Sequence, residues 1–151
     1  MKKSIEKLKK VLNPDKKSKV EKLGLSTGST VLNCACSDDP LKGFLSGHYY
    51  RFVGDSSSGK TFLCMTCLAE AVNDPKFDKY RLIYDDVEGG ALMDITKFFG
   101  SKLAKRIEPP RKKKGVALYS QNIEELYYHI DDAVEEGGPF IYIVDSMDFL
   151  S

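Results

Sequence analysis

Gly54-Asp55-Ser56-Ser57-Ser58-Gly59-Lys60-Thr61 places two glycines, a lysine and a hydroxyl at the spacing G-x-x-x-x-G-K-[ST]. That spacing suits the gripping of a phosphate chain. Main-chain N–H groups of a glycine-permitted loop and of the helical turn after it converge on one anion. Lys60 reaches the terminal phosphates and the Thr61 hydroxyl binds Mg²⁺, so the expected ligand is a magnesium nucleoside triphosphate. In a chain of this composition a chance match is expected about once in a hundred.

A magnesium nucleotide also needs a carboxylate at the end of a neighbouring strand. Phe140-Ile141-Tyr142-Ile143-Val144-Asp145 is an apolar run closed by an acid, the form of a Walker B strand, and Asp145 is expected to hold the metal through water. Hydrolysis further requires a group that orients the attacking water. Asp85-Asp86-Val87-Glu88 follows another strand-like run. Because the carboxyl ends of parallel strands share one edge, Glu88 is expected near the γ-phosphate, with Asp85 and Asp86 as strand caps.

The elements that must position these residues are legible as periodicity. Tyr49 to Val53 is a run of strand formers directly before the glycine-serine loop, and Lys60 onwards turns helical until Asn73-Asp74-Pro75. The alternation repeats: strand over 80–84, helix over 91–105, strand over 116–120, helix over 123–136, strand over 140–144. Upstream, residues 2–12 carry a short amphipathic helix, and residues 24–40 read as turn, short helix and loop. Four strands alternating with three helices predict an α/β fold, a mostly parallel sheet with helices on both faces. No internal repeat is apparent.

The 151 residues, 42% hydrophobic and 30% charged, are enough for one domain with its own core. No apolar run approaches the roughly 20 residues of a bilayer span, and the basic start lacks the apolar block of a secretory signal, so a cytoplasmic location is expected and no membrane partner. The net charge of +1 hides an asymmetry, with nine lysines against three acids in residues 1–24 and a net −5 in the remainder. Arg111-Lys112-Lys113-Lys114 reads as a solvated loop rather than a nucleic-acid contact, since no aromatics are interleaved. The tyrosine pairs at 49–50 and 127–128 read as packing. Cys34-Ala35-Cys36 and Cys64-Met65-Thr66-Cys67 raise a four-thiolate zinc site, but the first pair is spaced one residue short and the second continues a helical apolar face, so core packing is the expectation.

Together these segments resemble the RecA recombinase family. Leu25-Ser26-Thr27-Gly28-Ser29 is similar to its I-S-T-G-S entry, the loop 54–61 to G-P-E-S-S-G-K-T, Asp86-Val87-Glu88 to D-A-E, Ser120-Gln121 to S-Q, and Val144-Asp145-Ser146 to V-D-S. The resemblance covers residues 25–151 as a partial RecA-like ATPase core, preceded by a basic amino-terminal oligomerisation segment, 1–24. It implies ATP and Mg²⁺ as cofactors, Glu88 as the catalytic glutamate, single-stranded DNA as partner, a homo-oligomeric filament, and ATP-dependent strand exchange in recombination and repair. Asp55 and Gly89-Gly90 depart from the pattern and point to a divergent, phage-like member, which would work in the host cytoplasm. Asp94 and Phe98 match the family's adenine-side residues loosely, at a longer interval. The chain ends after the Walker B strand, so the expectation is an incomplete core, without its DNA loops, that binds nucleotide poorly and does not exchange strands alone. The rival readings are a small P-loop phosphotransferase, a hexameric helicase-type motor, and a non-catalytic truncated regulator of a full-length recombinase.

Overall fold

The computed structural model describes residues 23–89 and 93–151. The helix expected over residues 2–12 lies outside the described residues, as does the start of the one expected from Ala91.

Chain entry is a small antiparallel pair, β1 (Gly24–Leu25) against β2 (Phe44–Leu45), enclosing helix α1 (Thr30–Ser37). The turn between β1 and α1 is held by side chains. Thr27 donates from both its N–H and its hydroxyl to Asn33 Oδ1, each at 2.8 Å, and Ser29 caps the helix by accepting from Leu32 N–H. Gly28, at φ 81°, lies so close to Thr66 that a Cβ there would approach its methyl to 2.5 Å. The entry turn thus docks on helix α2 (Lys60–Asn73).

α2 buries Cys64, Met65, Cys67, Leu68, Ala71 and Val72 on one face. It ends where Asp74 caps a short 3-10 turn, Pro75–Phe77, because proline cannot continue the ladder. Its buried face joins Leu25, Phe77, Leu82, Tyr84 and Leu103 in the main core.

The sheet behind that core has three parallel strands in the order β4-β3-β7: β4 (Ile107–Glu108), β3 (Arg81–Asp86) and β7 (Phe140–Asp145). Side chains alternate between faces. Leu82 and Tyr84 therefore share a face with their register partners Ile141 and Ile143, towards α2, and Asp86 and Asp145 continue that face. Ile83, Asp85 and Tyr142 face the other way, where helix α5 (Ile123–Glu135) buries Leu126, His129 and Ala133. The expected α/β class with helices on two faces of a parallel sheet is therefore present.

Four expectations need correction. Tyr49 to Val53 forms no strand. Its rings collect around β2 instead, Phe44 packing at a tilt 4.5 Å from Tyr50 and 5.6 Å from Phe52 between ring centres, while Val53 stays 82% exposed. The outer edge of β7 consequently has no strand beside it among the described residues. Residues 116–120 contribute no strand to the parallel sheet either. Val116–Leu118 is β6 of an antiparallel hairpin with β5 (Arg111–Lys113), and the loop expected at 111–114 is part of that hairpin. Its two-residue turn, Lys114 at φ 51° and Gly115 at φ 82°, has the positive φ pair that matches strand twist. Finally, the helix expected over 91–105 is two: α3 (Ile95–Phe99) and α4 (Ser101–Arg106), parted at Gly100, whose φ 85° and ψ 163° no side-chain-bearing residue adopts cheaply.

Candidate functional site

The loop 54–59 is exposed and runs directly into α2. Gly59 is the N-cap residue, at φ 90° and without a side-chain cap. The first N–H groups of α2 have no intrahelical acceptor, and no side chain covers them from the cap position. With the helix dipole, that leaves an end suited to an anion. Lys60 Nζ donates to Gly54 O and Asp55 O, both at 2.8 Å, and Ser58 N–H closes the turn onto Asp55 O at 3.2 Å. The ammonium is folded over its own loop, held by neutral carbonyls for which an oxyanion is a stronger competitor. Ser56 and Ser57 form the tip, Ser57 at φ 61°, and Thr61 is half-buried one residue into the helix.

The acids gather at the carboxyl end of the sheet. Register pairs Asp86 with Asp145, and Glu88 N–H donates to Asp145 O at 3.2 Å, so the turn after β3 is pinned to the end of β7. The Glu88 side chain is exposed and Asp145 is buried. Asp145 lies on the α2 face, and its charge reaches that helix: Cys64, one turn beyond Lys60, has its thiol pushed up to about 12, first by burial and then by the Asp145 carboxylate. The second turn of α2 is therefore within electrostatic reach of Asp145, whose carbonyl holds the Glu88 turn.

Two arrangements there escaped the sequence reading. Tyr84 O–H donates to Asp145 Oδ2 at 2.8 Å, which fixes the carboxylate. Burial, then that bond and the Asp145 charge, hold the Tyr84 phenol protonated far above the usual range. On the opposite face, Asp85 is no simple strand cap. It is fully buried and accepts from Ser120 N–H at 2.9 Å, Ser120 O–H at 2.6 Å and Tyr142 O–H at 2.9 Å. Ser120 Oγ also lies 2.9 Å from His129 Nδ1. Since the serine proton goes to the carboxylate, Nδ1 must carry a hydrogen and donate to Ser120 Oγ. The serine stands between acid and imidazole, the wrong order for a nucleophilic triad, in which the base must receive the serine proton. A sequence signal existed only for Ser120, and it said nothing of its partner.

Cys64 and Cys67 are core residues, whereas Cys34 and Cys36 are exposed on α1. No group of three or more His, Cys, Asp or Glu side chains among the described residues is arranged to hold a metal. No described helix is long and apolar enough to cross a membrane. Two cavities open among the described residues. One, of about 700 Å³, lies between the hairpin base and α5, where Arg81 pairs with Glu108 and Glu136. The other, of about 590 Å³, opens beside the loop and is walled by Phe44, Tyr50, Phe52 and Leu63.

No family model, curated protein or solved structure matches the chain.

Proposed function

We propose that the chain binds a magnesium nucleoside triphosphate, ATP by its resemblance, and is the nucleotide-binding part of a RecA-type, DNA-dependent ATPase of homologous recombination and repair. One observation carries the reading: an uncapped, glycine-entered helix start bears Lys60 and Thr61, and the Lys60 ammonium is folded over the loop that would hold the phosphates. In this reading the loop N–H groups and the Lys60 ammonium hold the phosphate chain, while Thr61 and Asp145 hold the Mg²⁺ shell. Glu88 orients the water that attacks the γ-phosphorus, and the ADP oxygen leaves. Single-stranded DNA and a homo-oligomeric filament enter with the family resemblance alone.

Calorimetric titration with magnesium ATP tests the site. Saturable binding is expected, weakened about ten- to a hundred-fold in Lys60→Ala, the worth of one charge-assisted contact. No detectable heat or displacement with the unaltered chain would refute it.

A further inference from the structure

A phosphate loop grips only the tail of a nucleotide, and the base needs an apolar wall within reach of it. The 590 Å³ cavity beside the loop has the size of a small-molecule site. Gly54, Ser58, Gly59 and Lys60 form one side of it, so it is continuous with the residues that would hold the phosphates. Its other side is mostly aromatic and aliphatic: the Phe44 ring packs at a tilt against Tyr50 and Phe52, Leu32, Val53 and Leu63 stand beside them, and Arg51 adds one cation. The Tyr50 hydroxyl accepts from Leu45 N–H at 2.8 Å, which fixes the ring. This cluster exists because Tyr49 to Val53 does not join the sheet, so periodicity gave no hint of it. The family resemblance directs attention elsewhere, to Asp94 and Phe98.

We propose that the base of the bound nucleoside triphosphate stacks in this aromatic cavity, between β2, the Tyr50–Phe52 segment and the start of α2. The proposal rests on the reading of residues 54–61 as a phosphate site. Rings and aliphatic side chains dominate the wall, so the base is recognised by stacking, which every base offers. Recognition is therefore permissive: ATP and GTP bind within about three-fold of each other, and both bind about ten-fold more tightly than a bare triphosphate chain, the increment of one stacked base.

Cys36 lines the cavity, and Cys34, two residues away on the same exposed helix, does not. Their alkylation rates by N-ethylmaleimide, read by mass spectrometry, therefore report on occupancy. Magnesium ATP and GTP are expected to slow Cys36 at least about five-fold relative to Cys34, and magnesium tripolyphosphate to leave the ratio unchanged, as stacking in the cavity demands. A second variant, Cys36→Trp, fills the cavity from an exposed position. By calorimetry it should lose about ten-fold in ATP affinity and nothing for tripolyphosphate. If ATP binds while Cys36 stays unprotected and Cys36→Trp binds it normally, the base lies elsewhere; the proposal fails and the phosphate loop stands. If neither ATP nor tripolyphosphate binds, the phosphate site fails and this proposal with it.

Discussion

Tyr84 and Asp85 are neighbours in β3 that point to opposite faces, and each ends in a carboxylate contact. Tyr84 steadies Asp145 on the side of the phosphate loop, and Asp85 gathers Ser120, Tyr142 and, through Ser120, His129 on the side of α5. Removing the bridging hydroxyl with Ser120→Ala leaves His129 Nδ1 without its acceptor and takes one donor from a buried acid, a loss of about 2–3 kcal/mol in chemical denaturation. Glu88 is exposed and makes its structural contact through its main chain, so Glu88→Gln should leave the melting temperature unchanged. If Glu88 orients water, the same variant lowers kcat about a hundred-fold in an ATPase assay, with little change in KM. A loss of stability instead would assign Glu88 to the fold.

At the scale of elements, α2 carries both the core and the start of the phosphate site, and its two buried thiols couple folding to pH. Burial first, then the Asp145 charge for Cys64 and the Glu70 charge for Cys67, push both thiols from 9.0 up to about 12. Between those values the unfolded chain has lost protons that the folded chain keeps. Stability is therefore complete below pH 9 and falls as pH rises towards 12. Thermal melts at stepped alkaline pH should show the decline, with a shallower slope in Cys67→Ala. Tyr84 and Tyr142, also raised by burial, act in the same direction. Gly100 separates α3 from α4 with backbone angles that only glycine holds easily, so Gly100→Ala should cost about 1–3 kcal/mol in the same denaturation assay.

Across the whole molecule, order is graded from the central strand outward. β3 is paired on both sides and covered by α2 and α5, whereas among the described residues β7 is paired on one side and Tyr49 to Val53 joins no ladder. Hydrogen exchange should rank them in that order, with β3 slowest. The hairpin β5–β6, solvent-exposed along most of its length, should exchange quickly. Magnesium ATP should slow exchange over residues 54–61 and, if the base lies in the aromatic cavity, over residues 49–53 as well; slowing at 54–61 alone would separate the two proposals.

What residue order determined by itself was local. The helix over 60–73 follows from its apolar spacing and the Asn73-Asp74-Pro75 stop, and the strands read at 80–84 and 140–144, found at 81–86 and 140–145, from strand-forming runs, since these depend on neighbours three or four residues away or on burial of both faces. The meeting of Glu88 with Asp145 was also legible, because parallel strands must bring their carboxyl ends to one edge. That 49–53 forms no strand, and that the strand within 116–120 stays out of the parallel sheet, was not, because a run of β-formers joins a sheet only where an edge of the right direction waits for it. Tertiary contacts alone decided that the first run wraps its rings around Phe44, and that the second pairs back on Arg111–Lys113. The Asp85 network and the Tyr84–Asp145 bond join residues 35 to 61 positions apart, and no local pattern encodes a distance that only folding creates.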